Sequence, residues 1–139
     1  NWCFNEPWPT AANNSIINWP NWPKPAFHAV RDACRPVLVS ARNSKLVWRR
    51  GEVFSTQLWI LNDLHEVLEG GVVKAILISG NKHLELDSWV YEGAAPNTNL
   101  EGPRLQMELP SWRSEGFTLL LEVEGHPEYN SIYDFLLAD

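Results

Sequence analysis

The sequence predicts an all-β protein: an immunoglobulin-like antiparallel β-sandwich of seven to eight strands that follows a short strand, a loop and one α-helix. Two observations predict this fold class. From residue 37 onwards, apolar residues alternate with polar ones in short runs, and Gly, Pro, Asn or Asp residues separate the runs. Residues 37–139 also supply roughly the 100 residues that an immunoglobulin-type sandwich requires.

A change in composition near residue 36 predicts two parts. Four of the eight tryptophans and six of the ten prolines fall within the first 36 residues. We therefore expect residues 1–36 to form a terminal strand, a Trp/Pro-rich loop and a helix, and residues 37–139 to form the sandwich domain. The strand, at residues 2–4, would be short because Pro7 and Pro9 cannot donate hydrogen bonds to a strand partner.

Residues 24–35 show the pattern of an amphipathic helix. Pro25 suits the first helical turn, where its missing N–H group leaves no helical hydrogen bond unmade. Phe27 and Val30 begin an apolar stripe at helical spacing, while charged residues occupy other positions. Pro36 ends the helix, because a proline disfavours helical backbone at the residue before it.

Hydrophobic alternation locates the strands of the predicted sandwich. We expect a turn at residues 70–71, where two glycines are adjacent, and a loop over residues 93–103, which contain two prolines and two asparagines. The predicted strands span residues 37–39, 46–48, 53–61, 72–79, 84–90, 105–109, 117–123 and 133–137.

Charge and composition disfavour several kinds of partner. The net charge is −6 and basic residues do not cluster, so we expect no nucleic acid partner. No apolar run approaches the ~18 residues that span a bilayer, so we expect no membrane partner. The four histidines lack ligand spacing and two cysteines do not make a zinc site, so we expect no metal or other cofactor. Cys3 and Cys34 are interpreted as buried thiols, with a disulfide between them as the alternative.

The first nine residues are the segment that indicates a function. Two indoles (Trp2 and Trp8), an amide (Asn5) and a carboxylate (Glu6) lie within seven positions. Aromatic faces combined with polar hydrogen-bonding groups suit the recognition of a sugar ring. These four residues are therefore the candidate substrate-binding residues.

Several segments together resemble the C-terminal part of a family 2 glycoside hydrolase of the β-mannosidase or β-galactosidase type. In that group, the last strand of the catalytic (β/α)8 barrel carries the pattern W-x-x-N-D-x-W-P, and residues 2–9 match it with Glu6 in place of Asp. The last barrel helix follows, and then a strand that reads P-V-L-V-S. Residues 25–35 resemble that helix and residues 36–40 that strand, and the resemblance extends to residues 58–63.

The resemblance implies a fold and a role for each part. Residues 1–36 would be the end of a (β/α)8 barrel, and residues 37–139 a non-catalytic accessory sandwich. The partner would be the upstream catalytic barrel of the same polypeptide, and carbohydrate would bind through this longer parent enzyme. The four candidate residues would line the sugar site at the mouth of the barrel, where active sites of this fold are built. The sequence does not assign a compartment, although sugar-degrading relatives often act in the periplasm or outside the cell.

The chain by itself is not expected to be an enzyme. Its parent would hydrolyse O-glycosidic bonds of β-mannosides or β-galactosides by a retaining mechanism, which needs two carboxylates about 5–5.5 Å apart. In such enzymes the acid/base Glu follows an Asn on barrel strand 4, whereas Glu6 lies on a segment that resembles the last strand. We therefore interpret Glu6 as a residue that binds substrate or braces its neighbours, and we assign no catalytic residue.

Two alternatives to this accessory role remain open. The first is a carbohydrate-binding sandwich that presents exposed aromatic residues, and the second is a purely structural spacer domain. The candidate aromatic residues for the first are Trp48, Trp59, Trp89, Tyr91 and Trp112. For the isolated chain, we also expect self-association through the Trp/Pro-rich arm, residues 1–23, because its indoles would lack a partner surface.

Overall fold

The computed structural model describes residues 3–9 and 14–138, and the chain divides into two compact units. The N-terminal unit ends at Arg35 and the C-terminal unit begins at Pro36. Strands account for 58% of the structure and helices for 9%, so the predicted all-β class is confirmed.

In its described residues, 3–9 and 14–35, the N-terminal unit contains one small hairpin and one helix. Strand β1 (Ile17–Asn18) pairs antiparallel with β2 (Trp22–Pro23), and α1 spans Pro25–Ala33. The segment before the hairpin adds a single parallel bridge between Asn5 and Ile17. Trp2 lies outside the described residues, and the part of the predicted strand that is described, residues 3–4, is not in a strand.

Helix α1 begins at Pro25, as the sequence predicts, and its last turn is closed by a hydrogen bond from the Cys34 N–H to the Val30 carbonyl. None of the residues of the helix is buried, and Val30 of its apolar stripe is 38% exposed. The amphipathic pattern therefore predicts the helix correctly but not its burial.

The C-terminal unit contains eight strands in two sheets. One sheet has the order β4-β10-β9-β6-β7 and the other the order β3-β5-β8. All pairs are antiparallel except the parallel pair of β4 and β10. The strands are β3 (Val37–Asn43), β4 (Val47–Arg49), β5 (Val53–Asn62), β6 (Leu68–Ser79), β7 (Lys82–Ala94), β8 (Thr98–Glu108), β9 (Gly116–Val123) and β10 (Ser131–Ala138).

This strand order is immunoglobulin-like. Strands β3, β5 and β8 occupy the positions of immunoglobulin strands A, B and E, while β10, β9, β6 and β7 occupy those of G, F, C and C′. The predicted sandwich of seven to eight strands is therefore confirmed. Its short 3₁₀ helix, Pro127–Tyr129, lies in the connection between β9 and β10.

The core of the sandwich follows from alternation along the strands. In β5, every second residue from Phe54 to Asn62 is buried, and Phe54 and Leu58 are fully buried. The Phe54 ring lies 5.0 Å from that of Trp48 and 5.6 Å from those of Phe117 and Phe135, measured between centroids. Burial of each large apolar side chain contributes on the order of 1.5–3 kcal/mol.

Two connections differ from the sequence prediction. Gly70 and Gly71 lie within β6 instead of forming a turn. A Cβ atom on Gly70 would lie 2.7 Å from the Tyr91 carbonyl oxygen, so glycine is needed there for close strand contact. Strand β8 begins at Thr98, so much of the expected loop at residues 93–103 is strand. Alternation did not reveal this half of β8, because it contains few apolar residues.

Candidate functional site

The structure describes three of the four predicted site residues, since Trp2 lies outside the described residues. Asn5 is exposed and takes part in the backbone bridge to Ile17. Glu6 is only 4% exposed, whereas Trp8 is 64% exposed. Neighbouring positions in the sequence therefore have opposite environments, with the carboxylate inside the N-terminal unit and the indole on its surface.

Glu6 is held at the centre of a buried polar cluster. Its Oε1 atom accepts hydrogen bonds from Lys24 Nζ at 2.8 Å and from Ser15 Oγ at 3.0 Å. Its Oε2 atom accepts the backbone N–H of Trp19 at 3.4 Å. Lys24 Nζ also donates to Ser15 Oγ at 3.1 Å. The carboxylate thus connects the N-terminal segment to the hairpin and to the residue before α1.

The backbone brings these residues together. Glu6 N–H donates to the Ile17 carbonyl at 3.0 Å, and Ile17 N–H donates to the Phe4 carbonyl at 3.0 Å. Lys24 N–H donates to the Ile16 carbonyl at 2.9 Å, which places the lysine beside β1. The two ends of the hairpin therefore converge on the Glu6 side chain.

The hydrogen bond from Lys24 is the largest cause that lowers the pKa of Glu6 below its usual value. Partial desolvation acts in the opposite direction, and the hydrogen bonds from Ser15 and Trp19 add to the lowering. Glu6 therefore stays ionised at neutral pH. Such a carboxylate can orient neighbours or accept a hydrogen bond, but it does not hold the proton that a general acid must donate.

The surface of the N-terminal unit is rich in exposed aromatic rings. Phe4, Trp8, Trp19 and Trp22 are between 47% and 70% exposed. Exposed apolar groups that form a contiguous patch usually mark an interaction surface. We call these four residues the aromatic surface.

The aromatic candidates of the sandwich are mostly internal. Trp48, Tyr91 and Trp112 are buried, and Trp89 is half-buried with its ring packed against the core. These four residues do not form an exposed aromatic face. Trp59 is half-buried on β5 and lines a groove.

That groove lies on the β3-β5-β8 sheet and has a volume of about 600 Å³. Its lining is polar apart from Trp59. It consists of Arg42, Asn43, Ser44, Ser55, Thr56, Gln57, Trp59, Glu101 and Arg104. Sequence reasoning named only Trp59 of this set. The available signal was the polar, outward half of the alternation in β3 and β5, from which no site is predicted.

The cysteine interpretation is wrong, because Cys3 and Cys34 are both exposed and neither forms a disulfide. Within residues 3–9 and 14–138, no group of three or more His, Cys, Asp or Glu side chains has a geometry that could hold a metal ion. Over the same residues, no helix has the length and apolar character needed to cross a membrane.

Neither a protein-family profile nor a curated protein matches the chain. Several solved structures share its fold. Spo0M, a sporulation control protein from Bacillus subtilis, is 11% identical with a TM-score of 0.52, and the alignment covers 76% of this chain and 50% of Spo0M. A superoxide reductase (neelaredoxin) from Ignicoccus hospitalis is 7% identical with a TM-score of 0.53, over 80% of this chain and 87% of its own.

A third similar structure is the alkylpurine DNA glycosylase AlkC from Pseudomonas fluorescens, bound to DNA with an abasic site analogue. It is 10% identical with a TM-score of 0.50, over 75% of this chain and 31% of AlkC. The chain thus spans half of the Spo0M chain that it matches and less of AlkC. At these identities the similarity concerns the fold alone, because one β-sandwich fold serves many functions.

Proposed function

We propose that this chain is the C-terminal, non-catalytic part of a family 2-type glycoside hydrolase. Residues 1–36 would complete the catalytic barrel, and residues 37–139 would be its immunoglobulin-like accessory domain. The parent would hydrolyse O-glycosidic bonds of β-mannoside or β-galactoside type by a retaining mechanism with two carboxylates. The order of elements supports this proposal, since a segment with Asn5 and Glu6 is followed by a helix from Pro25 and a sandwich from Val37.

The observation that carries the proposal is the uncovered apolar surface of the N-terminal unit. The aromatic surface is exposed, and helix α1 buries none of its residues. If a partner surface covered these side chains, the burial of each large one would contribute on the order of 1.5–3 kcal/mol. An upstream barrel of the same polypeptide is a partner of the right kind, because its last strand and helix pack against the rest of the barrel.

The Glu6 cluster supports a positioning role for this carboxylate. Its two oxygen atoms accept hydrogen bonds from Lys24, Ser15 and the Trp19 backbone. This arrangement fixes the loop that carries Trp19 relative to the segment that carries Trp8. In the parent, a rigid loop of this kind would hold the indoles of the sugar site, while the acid/base and nucleophile would come from other barrel strands.

The electrostatics of Glu6 disfavour an acid/base role for this residue. A retaining glycosidase needs one carboxyl group whose pKa is raised, so that it can protonate the leaving oxygen. The Lys24 hydrogen bond instead lowers the pKa of Glu6. Glu6 therefore does not fit the general acid, and the proposal assigns glycosidase activity to the parent.

The test compares the isolated chain with the full-length protein that contains it. Both are assayed with aryl β-mannoside, β-galactoside and β-glucoside. We expect turnover of at least one substrate by the full-length protein and none by the chain. Turnover by the chain at the full-length rate, or a full-length protein inactive on all three substrates, would contradict the proposal.

A second measurement addresses the aromatic surface directly. Hydroxyl-radical labelling of Trp8 and Trp22 is compared between the chain and the full-length protein, with exposed Ile132 of the sandwich as the reference residue. We expect strong protection of both indoles in the full-length protein and a smaller change at Ile132. Equal labelling of the indoles in both proteins would show that no barrel covers them.

A further inference from the structure

The groove on the β3-β5-β8 sheet is organised by strand register. Arg42, Gln57 and Arg104 are direct cross-strand neighbours, so the two arginines flank the glutamine in a single row. In the next outward-facing row, Trp59 pairs with Glu101 on β8. Side chains directly opposite each other in an antiparallel pair have Cβ atoms about 4.5–5.5 Å apart. The two rows therefore place two guanidinium groups, an amide, an indole and a carboxylate around one groove.

The polar groups of the groove are partly fixed by contacts to the protein. The Gln57 amide nitrogen donates to the Gly102 carbonyl, and Arg104 Nε donates to Ser55 Oγ at 3.1 Å. Neither Arg42 nor Arg104 forms an ion pair with a carboxylate within the described part of the chain. Both guanidinium groups therefore keep donors for a ligand.

This local positive charge stands out in an acidic protein. The chain carries a net charge of −6, whereas the groove is lined by two arginines and one glutamate. A small anion would be attracted to the two guanidinium groups, while an extended polyanion would meet the acidic remainder of the surface. The charge distribution favours a ligand with a single acidic group.

We propose that the groove binds an acidic saccharide, with a sugar ring that carries a carboxylate. Arg42 and Arg104 would bind the carboxylate, since guanidinium groups form paired hydrogen bonds with such planar anions. Trp59 would contact the apolar face of the ring. Glu101 would accept hydrogen bonds from the hydroxyl groups of the sugar, and the Ser55 hydroxyl would donate to them or accept from them. The volume of about 600 Å³ lies within the range typical of small-molecule sites.

The anion subsite and the choice of a saccharide as ligand rest on different observations. The anion subsite follows from the register of Arg42, Gln57 and Arg104. The choice of a saccharide as the bearer of the anion rests on the proposed function, because a domain of a glycosidase meets saccharides. Glu101 also favours a hydroxylated ligand over a phosphate, since its carboxylate accepts hydroxyl protons but repels a doubly charged anion.

The experiment titrates the ¹⁵N-labelled chain with galacturonate and glucuronate oligosaccharides, and monitors amide shifts in β3, β5 and β8. Neutral manno-oligosaccharides and inorganic phosphate are titrated in parallel. We expect saturable shifts with a uronate ligand, and binding weaker by at least about tenfold for the neutral sugars. Binding of the uronate should also weaken as salt is added, because the groove is solvent-exposed.

Variants locate the binding. Arg42→Gln and Arg104→Gln should each weaken uronate binding by about tenfold, because each removes a charge-assisted contact. Arg113→Gln is the matched control, since Arg113 is exposed and does not line the groove; it should leave the affinity unchanged. Trp59→Ala tests the aromatic contact, and Trp59→Phe replaces it if the alanine variant does not fold. Because Trp59→Phe keeps an aromatic ring, it should weaken binding less than the arginine substitutions.

Several outcomes would overturn the inference. These are equal binding of neutral and acidic sugars, binding of phosphate but not of uronates, absence of any binding, and equal effects of the Arg113 and groove variants. Glycosidase activity of the full-length protein is measured separately, so failure of the groove and failure of the proposed function are distinguishable.

Discussion

The indole of Trp89 occupies the space that a side chain on Gly102 would need, since a Cβ atom there would lie 2.5 Å from Trp89 Cζ3. Trp89 belongs to β7 and Gly102 to β8, which lie in different sheets of the sandwich. The Gly102 carbonyl also accepts the Gln57 amide that lines the groove. Packing between the sheets is thus connected to the shape of the groove.

Gly102→Ala should destabilise the sandwich by about 1–3 kcal/mol, because the added methyl group must displace a packed ring. The change in free energy of unfolding is measured by urea denaturation. In a Trp89→Phe background the same substitution should cost less, because the smaller ring leaves room for the methyl group. Additive effects of the two substitutions would contradict the packing argument.

The N-terminal unit should loosen in acid because of Glu6. The Lys24 hydrogen bond lowers the pKa of Glu6 in the folded state. Its ionisation therefore stabilises the unit above the unfolded-state pKa of about 4.3, and this contribution is lost as the pH falls through the lower folded-state value. The protection factor of the Trp19 amide, which is the intrinsic exchange rate divided by the observed rate at the same pH, should therefore fall over this interval.

Glu6→Gln tests the same point at neutral pH. The variant should show a lower Trp19 protection factor at pH 7 and little further loss of protection on acidification. Glu69→Gln is the control, since Glu69 is exposed on β6. If the Glu6→Gln variant shows the same acid transition as the unsubstituted chain, a group other than Glu6 causes that transition.

The isolated chain should self-associate through the aromatic surface. Trp8 is 64% exposed and Trp22 is 70% exposed, and two chains could bury both indoles against each other. Sedimentation velocity should detect dimers or larger species whose fraction rises with concentration. Replacing both tryptophans by serine should shift the chain towards monomer.

The matched control for this prediction replaces Val90 and Ile132, which are equally exposed apolar residues on the sandwich. Their replacement by serine should leave the association unchanged. A monomeric chain at all concentrations, or an equal effect of the control variant, would contradict association through the tryptophans.

Tyr133 links the two sheets of the sandwich through a backbone group. The Ala41 N–H of β3 donates to the Tyr133 hydroxyl oxygen at 3.0 Å, and Ser40 Oγ lies 3.3 Å from the same oxygen. Tyr133→Phe should therefore lower the free energy of unfolding by about 0.5–1.5 kcal/mol. Tyr129→Phe is the comparison, since the ring of Tyr129 stacks on His126 and should lose little by the change. Equal effects of both substitutions would show that the hydroxyl contact contributes nothing specific.

Sequence reasoning located most of the elements but not all of their environments. The start of α1 at Pro25 and the presence of each of the eight sandwich strands were predicted correctly, because proline chemistry and apolar alternation act over a few residues. The prediction of a turn at Gly70 and Gly71 was wrong. Both glycines lie within β6, where the lack of a side chain allows close contact with Tyr91. Periodicity cannot distinguish these two uses of glycine.

The candidate site shows the same division. Residue type was enough to select Glu6 and Trp8 as candidates. It did not indicate that Glu6 is buried and Trp8 exposed. The partners of Glu6, namely Ser15 and Lys24, are nine and eighteen positions away in the chain. No local pattern connects residues at such separations.

By itself, the sequence determined that the chain forms a β-sandwich preceded by one helix, because alternation and proline placement are properties of short stretches. Only the tertiary structure decided which polar residues meet. Strand register placed Arg42 and Arg104 on either side of Gln57, although they are far apart in the chain. Register depends on how whole strands pair and bury their apolar faces, and this is settled only when the sheets form.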